Sequence, residues 1–168
     1  MYKLFISPHL DDIIFSLGSF IETSSQNTNT IIATVFTKEN KEKLEKMTGE
    51  LYTYGNYKKR LIEDNKSMKL LKNTTVIYFD LEDEIFRNGV SRLKMELKIS
   101  YKINNILERY SVNEIYLPLG IGYHTDHILV NNSIYHLNLS GYKILYYYDY
   151  PYCNNKLNLI TRLSDYGI

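Results

Sequence analysis

The stretch YKLFISPHLDDIIFSLGSFI, Tyr2–Ile21, contains an apolar run, a short polar segment and then a periodic pattern. The apolar run Tyr2–Ile6 is typical of a buried strand. Apolar residues then recur at helical spacing, which predicts a helix over Asp11–Thr23 with an acidic residue at its start. A strand that leads directly into a helix is the repeating unit of α/β folds.

The same alternation continues through the rest of the chain. Further apolar runs predict strands at Thr30–Phe36, Thr74–Phe79, Glu114–Leu117 and Lys143–Tyr148. Helical periodicity predicts helices at Tyr57–Lys72, Arg92–Tyr110 and His127–Leu139, and the charge run Lys38–Lys46 is expected to be a solvated loop or surface helix. Strands that alternate with helices predict one α/β domain over residues 1–168, with a mostly parallel sheet of about five strands and helices on both faces.

Composition limits the classes of function. At 168 residues and a net charge of +1, the chain is expected to bury a real core and to lack the basic surface that nucleic acid or an anionic membrane requires. Its single cysteine, Cys153, excludes an intramolecular disulfide and a multi-cysteine zinc site. The sequence contains no signal-peptide stretch and no apolar run of transmembrane length, so we expect a cytoplasmic protein.

The polar segment after the first strand, Ser7-Pro8-His9-Leu10-Asp11-Asp12, is the first candidate site. His9 and Asp12 are spaced so that both can reach one Zn²⁺ ion, and Asp11 is then free to act as a general base on water. Two other interpretations remain open. The aspartates can simply cap the helix, or they can bind Mg²⁺ for phosphoryl chemistry, although an imidazole ligand favours zinc.

The second candidate site, His124-Thr125-Asp126-His127, follows the predicted strand Glu114–Leu117. His127, at the start of a helix, is the better third metal ligand. His124 is then free, and Asp126 is positioned to accept its ring proton and favour an imidazolium that stabilises an oxyanion or protonates a leaving nitrogen. The preceding Gly120–Gly122 lacks a dinucleotide-binding spacing and is expected to be a flexible loop.

Together these segments resemble the His-Pro-Asp-Asp and His-x-Asp-His signatures of the PIG-L/LmbE-like zinc-dependent deacetylases. Arg60-Leu61-Ile62-Glu63 is similar to the Arg-x-x-Glu helix of that family, and Tyr147–Pro151 is similar to its aromatic-acidic-proline segment. The resemblance therefore extends from residue 1 to about residue 151. The chain departs from the signature at Leu10, where the family has proline, and at Ile13, where the family usually has an acidic residue.

The resemblance implies a Rossmann-like domain that hydrolyses the acetamido group of an N-acetylated amino sugar, in a small molecule or a glycoconjugate. Its residue roles are Zn²⁺ ligands at His9, Asp12 and His127, a general base at Asp11, an oxyanion-stabilising or acidic His124 oriented by Asp126, and substrate binding by Arg60. The alternative for Arg60 is an ion pair with Glu63 or Asp64. The alternatives for the function are hydrolysis of a non-sugar amide, or metal binding in a complex with little activity alone.

The chain ends earlier than family members usually do. Little sequence follows the last predicted strand, so the aromatic run Tyr146–Tyr148 is expected to leave apolar surface uncovered. This predicts a homo-oligomer in which the neighbouring subunit helps to close the site.

Overall fold

The computed structural model describes all 168 residues and contains one sheet of five parallel strands. The strands are β1 (Tyr2–Ser7), β2 (Asn29–Lys38), β3 (Thr74–Glu82), β4 (Val112–Pro118) and β5 (Lys143–Tyr147). They lie in the order β3-β2-β1-β4-β5, and every neighbouring pair is parallel. The predicted Rossmann-like α/β fold is confirmed.

Seven α-helices connect and flank the strands. They are α1 (Asp12–Ser25), α2 (Lys41–Leu44), α3 (Gly49–Gly55), α4 (Tyr57–Met68), α5 (Arg92–Arg109), α6 (Thr125–Ser133) and α7 (Lys156–Asp165). Short 3₁₀ turns occur at Glu84–Phe86, Ile134–His136 and Tyr152–Asn154. The charge run contains the short α2, in which Lys41 and Glu42 are exposed and Leu44 is buried. Helices α3 and α7 were not predicted from the sequence. No helix combines the length and apolar character needed to cross a bilayer.

Both faces of the sheet are buried, because alternate side chains of each strand point to opposite faces. On one face, Leu4 and Ile6 of β1 join the largest core cluster together with apolar residues of α5 and α6. On the other face, Phe5 packs in a second cluster with Ile13 and Ile21 of α1. The sheet is therefore covered by helices on both faces, as the alternating sequence predicts.

The strand order determines where the functional segments meet. After β1 the chain builds the sheet outwards through β2 and β3, and then crosses back to place β4 on the other side of β1. Ligands of open α/β sheets bind at such a reversal point, beyond the carboxyl ends of the strands. The segments that follow β1 and β4 carry His9 and His127, so the fold brings the two candidate sites together.

The carboxyl-terminal region covers more surface than the sequence indicated. Tyr147 is buried and donates to the carbonyl of Ile6, and the Tyr146 ring packs 5.5 Å from Tyr166, beyond α7. Of the aromatic run, only Tyr148 is exposed. The expectation of an uncovered aromatic surface was wrong, because α7 and its end pack over this edge; the homo-oligomer itself remains a prediction.

Candidate metal centre and active site

Three predicted ligands converge on one point at the carboxyl edge of the sheet. The Oδ2 atom of Asp12 lies 3.1 Å from Nδ1 of His9 and 3.3 Å from Nε2 of His127. Two ligand atoms of a tetrahedral zinc ion, each bonded at about 2.0–2.1 Å, lie about 3.3 Å apart. The nitrogen and oxygen atoms of this group therefore fit a small divalent metal ion.

The outer nitrogen of each histidine is also paired with a carboxylate. Nε2 of His9 lies 3.0 Å from Oδ2 of Asp126, and Nδ1 of His127 lies 2.6 Å from Oδ1 of Asp149. Both aspartates are almost fully buried. Metal-binding histidines are generally oriented by such a partner, which fixes the tautomer and strengthens the ligand. This arrangement is a second observation that favours metal binding by His9 and His127.

The turn between β1 and α1 positions the residues of the first candidate site. Ser7 Oγ donates to the carbonyl of His9 and accepts from the backbone N–H of Ile13, which closes the turn. The backbone N–H of His9 donates to Oδ2 of Asp12. Asp11, just before the helix, makes no side-chain cap hydrogen bond. The helix-capping interpretation of Asp11 is therefore not supported.

Asp11 lies in the left-handed region of the backbone, with φ of 80°. Non-glycine residues are strained in this region, and such strain is concentrated at functional sites. The Asp11 side chain is half exposed and lies 3.6 Å from Nη2 of Arg60. Partial burial, together with the nearby charge of Asp12 and despite the opposing effect of Arg60, raises the pKa of Asp11 to about 6. Asp11 is thus a stronger base than an ordinary carboxylate, and it lies near the convergent ligands.

The cluster of carboxylates stabilises positive charge at the ligand positions. Burial alone would lower the pKa values of His9 and His127, but their hydrogen bonds with Asp12, Asp126 and Asp149 outweigh burial and raise them to about 10 and about 8. Burial alone would raise the pKa of Asp12, but the two histidines hold it well below its usual range. The carboxylates that raise these histidine pKa values supply the negative environment that a divalent cation requires.

The predicted contact between Asp126 and the His124 ring is not present. The carboxylate of Asp126 instead pairs with His9 and Arg87 and accepts from the backbone N–H of Glu84. His124 Nδ1 accepts from the backbone N–H of Asp126 over 3.3 Å.

The predicted imidazolium is also not favoured. Burial, together with the nearby charges of His9 and His127, lowers the pKa of His124. With Nδ1 as an acceptor, neutral His124 carries its proton on Nε2. The sequence interpretation was wrong on this point, because it paired Asp126 with its neighbour in the chain, whereas the fold pairs it with more distant residues.

A second group of three side chains, His9, His124 and Asp126, could also surround an ion. Its carboxylate, however, is already paired with the guanidinium of Arg87. A cation placed there would be repelled by that guanidinium. The group of His9, Asp12 and His127 contains no cationic side chain other than its own imidazoles, so we favour it as the metal centre.

The segment Gly120–Gly122, before the second candidate site, forms a hydrogen-bonded turn. The backbone N–H groups of Gly120 and Ile121 both donate to Oδ2 of Asp149, and Ile121 is fully buried. Gly122 has φ of 82°, and a Cβ atom there would lie 2.9 Å from the Tyr152 ring. The predicted loop is present, and its backbone hydrogen bonds hold Asp149 and hence the ring of His127.

Three residues of the site were missed in the sequence. Asp149 orients His127, Arg87 pairs with Asp126, and Asp83 lies 3.4 Å from Nε2 of His9 while accepting a hydrogen bond from the Tyr57 hydroxyl. Asp149 was detectable only as the acidic residue of the Tyr147–Pro151 segment. Asp83 and Arg87 lie in an acidic connection after β3 and show no local pattern that indicates their role.

Arg60 lies beside the site but does not form either of its predicted alternative ion pairs. Its Nη2 donates to the carbonyl of Leu10, its Nη1 donates to the carbonyl of Tyr54, and its nearest carboxylate is that of Asp11. A cavity of about 210 Å³ separates Arg60 from α1 and is bordered by Asp11, Phe15 and Asp64. Arg60 is therefore within reach both of the predicted base and of a ligand in this cavity.

Comparisons with known proteins identify related structures. The zinc-inhibited form of teicoplanin deacetylase superposes with a TM-score of 0.77 at 18% identity, over 91% of this chain and 69% of that chain. N,N'-diacetylchitobiose deacetylase from Pyrococcus horikoshii superposes with a TM-score of 0.61 at 20% identity, over 96% and 68%.

A 4-carboxy-2-hydroxymuconate hydratase from Pseudomonas putida also superposes, with a TM-score of 0.55 at 16% identity over 80% of this chain and 54% of that chain. At these identities the similarity shows the fold alone, and the hydratase shows that this fold does not determine the reaction. A comparison with curated proteins found no match.

The family assignment comes from the sequence. The model of the PIG-L family, described as GlcNAc-PI de-N-acetylase, matches residues 4–138. This match includes both candidate sites and four of the five strands. The chain therefore belongs to the PIG-L family of de-N-acetylases, which are metal-dependent amide hydrolases.

Proposed function

We propose that this protein removes the acetyl group from an N-acetylated amino sugar, in a small molecule or a glycoconjugate, and releases acetate and a free amine. The observation that carries the proposal is the convergence of His9 and His127 on Asp12, with Asp11 beside them. The family membership supports amide hydrolysis. The amino-sugar substrate is supported by two structural relatives, whose names describe deacetylases of teicoplanin and of diacetylchitobiose.

His9, Asp12 and His127 would hold the metal ion, which we propose to be Zn²⁺ because the ligands are two imidazoles and one carboxylate. When bound, a divalent ion polarises an amide carbonyl and acidifies water at the site. Asp126 and Asp149 hold the two imidazoles in orientation through their outer nitrogens. Asp126 is thus a positioning residue for His9 in this proposal.

Asp11 acts as the general base. It accepts the proton of the attacking water and can later deliver it to the leaving nitrogen, for which a carboxyl pKa near neutrality is suited. Arg60 holds the Asp11 carboxylate through its side chain and through the Leu10 carbonyl. We also propose that Arg60 binds polar groups of a substrate that occupies the adjacent cavity.

His124 stabilises the negative charge that develops on the carbonyl oxygen. As a neutral imidazole with its proton on Nε2, it donates a hydrogen bond to that oxygen without a prior change of charge. Its Nδ1 atom is held by the backbone N–H of Asp126, which fixes this tautomer. The His124 ring lies 5.3 Å from both His9 and His127, so it borders the proposed reaction centre.

The experiment is an acetate-release assay with purified protein and one equivalent of zinc. The substrates are N-acetylglucosamine, N,N'-diacetylchitobiose, an N-acetylglucosaminyl glycolipid, and an N-acetyl amino acid as the amide without a sugar. We expect acetate and free amine in equal amounts from at least one sugar, and none from the Asp12→Ala variant. Equal turnover of the N-acetyl amino acid would contradict an amino-sugar substrate, and no turnover of any amide would contradict the proposed function.

A further inference from the structure

The outer face of α5 carries an exposed apolar row. The row consists of side chains four residues apart that are 57%, 48% and 69% exposed: Leu93, Leu97 and Tyr101. Residues at this spacing lie on the same face of a helix. The row borders a groove with a volume of about 620 Å³, and Leu81 of β3 lies on the far side of this groove.

The groove is lined by eight residues. Those residues come from α5, from Ser91 just before it, and from Leu81 of β3. Because β3 is the edge strand of the sheet, no further strand covers this side of the groove. The apolar row therefore has no partner within the chain.

A basic row runs beside the apolar row on the same helix. It consists of three lysines, also four residues apart, that line the same groove: Lys94, Lys98 and Lys102. None of them forms an ion pair, and Lys102 lies 5.7 Å from the Phe79 ring centre. Like charges at this spacing repel one another, so an anionic partner would stabilise the helix.

Acidic side chains do not neutralise the basic row. Glu96 is the only carboxylate in the first three turns of α5, and it faces α6, where it accepts from Asn132 and contacts His136. The outer face of these turns is thus apolar along one row and positively charged along the next. The overall charge of +1 conceals this local concentration of lysines.

We propose that this face of α5 binds the surface of an anionic lipid membrane. Apolar side chains of such a helix enter the boundary between headgroups and acyl chains. Lysine side chains extend their methylene stems along that apolar surface and place their ammonium groups at the lipid phosphates. The two adjoining rows on α5 match both layers of the bilayer surface.

A second copy of the chain is a poorer occupant of this face. A two-fold contact through the groove would bring the lysine row of one copy towards that of the other, and these charges would repel. Nucleic acid would be attracted by the lysines, but it would leave the apolar row without a complementary surface.

The outer face of α5 is connected to the proposed active site through one segment. Residues 83–91 link β3 to α5, and this segment carries Asp83 and Arg87, which contact His9 and Asp126. Binding through α5 would therefore hold the wall of the active site close to the membrane surface.

The test is co-sedimentation of the purified protein with phosphatidylcholine vesicles that contain about 30% phosphatidylserine, at an ionic strength of about 0.1 M. We expect binding to these vesicles and much weaker binding to pure phosphatidylcholine. Each lysine near an anionic surface contributes about fivefold to the partition coefficient, so the triple variant Lys94→Gln/Lys98→Gln/Lys102→Gln should bind about a hundredfold more weakly. The double variant Leu93→Ser/Leu97→Ser should also bind more weakly.

The matched control is Lys66→Gln/Lys69→Gln/Lys72→Gln, which removes the same charge from three exposed lysines at the end of α4 and beyond it. Thermal unfolding of every variant verifies that it is folded. Wild-type protein that remains in the supernatant, or an equal loss of binding in the control, would overturn the proposal. A dimer in light scattering that Leu93→Ser/Leu97→Ser dissociates would also overturn it, because a second copy would then cover the face.

Discussion

Asp11 combines a strained backbone with a carboxylate whose pKa is about 6. At the scale of single residues, the main feature of the site is the difference between Asp11 and its neighbour Asp12. Asp12 faces both histidines, whereas Asp11 faces Arg60. Two adjacent carboxylates therefore have different partners and, in the proposed mechanism, different roles.

Asp11→Asn tests the role of the base. Asparagine tolerates the left-handed backbone and keeps the shape of the side chain, but it cannot accept the proton. We expect kcat for acetate release to fall by about 10²–10⁴-fold, with the metal content unchanged. The comparison variant is His127→Ala, which should lose the metal. Equal loss of metal in both variants, measured by mass spectrometry, would show that Asp11 has a different role.

Asp149→Asn tests the orientation of His127. Loss of the carboxylate that holds Nδ1 should weaken metal binding by about 10–100-fold, measured by competition with a chromophoric chelator. Asp80→Asn is the matched control, since Asp80 is exposed on β3 and its carboxylate forms no ion pair with any residue of the site. An equal effect of the two substitutions would contradict a specific role for Asp149.

At the scale of elements, α7 is held to the rest of the domain by the buried side chain of Arg162. Its Nε donates to the carbonyl of Leu119 over 2.8 Å, and its Nη2 lies 3.4 Å from Oδ1 of Asn131. Leu119 directly precedes the glycine turn that holds Asp149. The helix thus supports the turn beneath the proposed metal centre.

Arg162→Met should destabilise the protein by about 2 kcal/mol, because the buried Leu119 carbonyl loses its 2.8 Å donor and keeps only the long 3.4 Å contact from Asn131 Nδ2. The measurement is the free energy of unfolding from urea titration. Lys156→Met changes an exposed cation of the same helix and should have an effect within about 0.5 kcal/mol. Similar losses in both variants would mean that Arg162 does not anchor α7.

The sequence predicted the elements whose signals are local. The strand, turn and helix at residues 2–25 follow one another directly, so their order already placed His9 and Asp12 on one loop. The parallel sheet then explains why His127 joins them. Contacts between distant segments were not predictable in this way: Arg87 reaches Asp126 only because the β3–α5 connection folds over the sheet edge. Helix α7 was missed although Leu157, Ile160 and Leu163 recur at helical spacing, so its signal was present in the sequence.

At the scale of the whole molecule, the buried carboxylates make stability depend on what occupies the site. The folded-state pKa values of His9 and His127, about 10 and about 8, lie above the ordinary value of 6.5. The folded protein therefore holds protons that the unfolded chain has released between pH 6.5 and these values. A metal ion would take the place of those protons.

For protein stripped of metal with a chelator, we expect the stability that these two groups contribute to be fully present below about pH 6.5. It should decline as the pH rises through about 8, where folded His127 loses its proton. Thermal unfolding between pH 6.5 and pH 9 measures this decline. One equivalent of zinc should raise the unfolding temperature and reduce the pH dependence, since bound metal stabilises the folded state. A flat profile in chelator would contradict the proposed charge arrangement.

The most direct test of the proposed metal centre is anomalous diffraction at the zinc edge, from crystals grown with one equivalent of zinc. We predict a single peak about 2.0–2.2 Å from Nδ1 of His9, a carboxylate oxygen of Asp12 and Nε2 of His127. A peak between His9, His124 and Asp126, or no peak at the carboxyl edge of the sheet, would contradict the account.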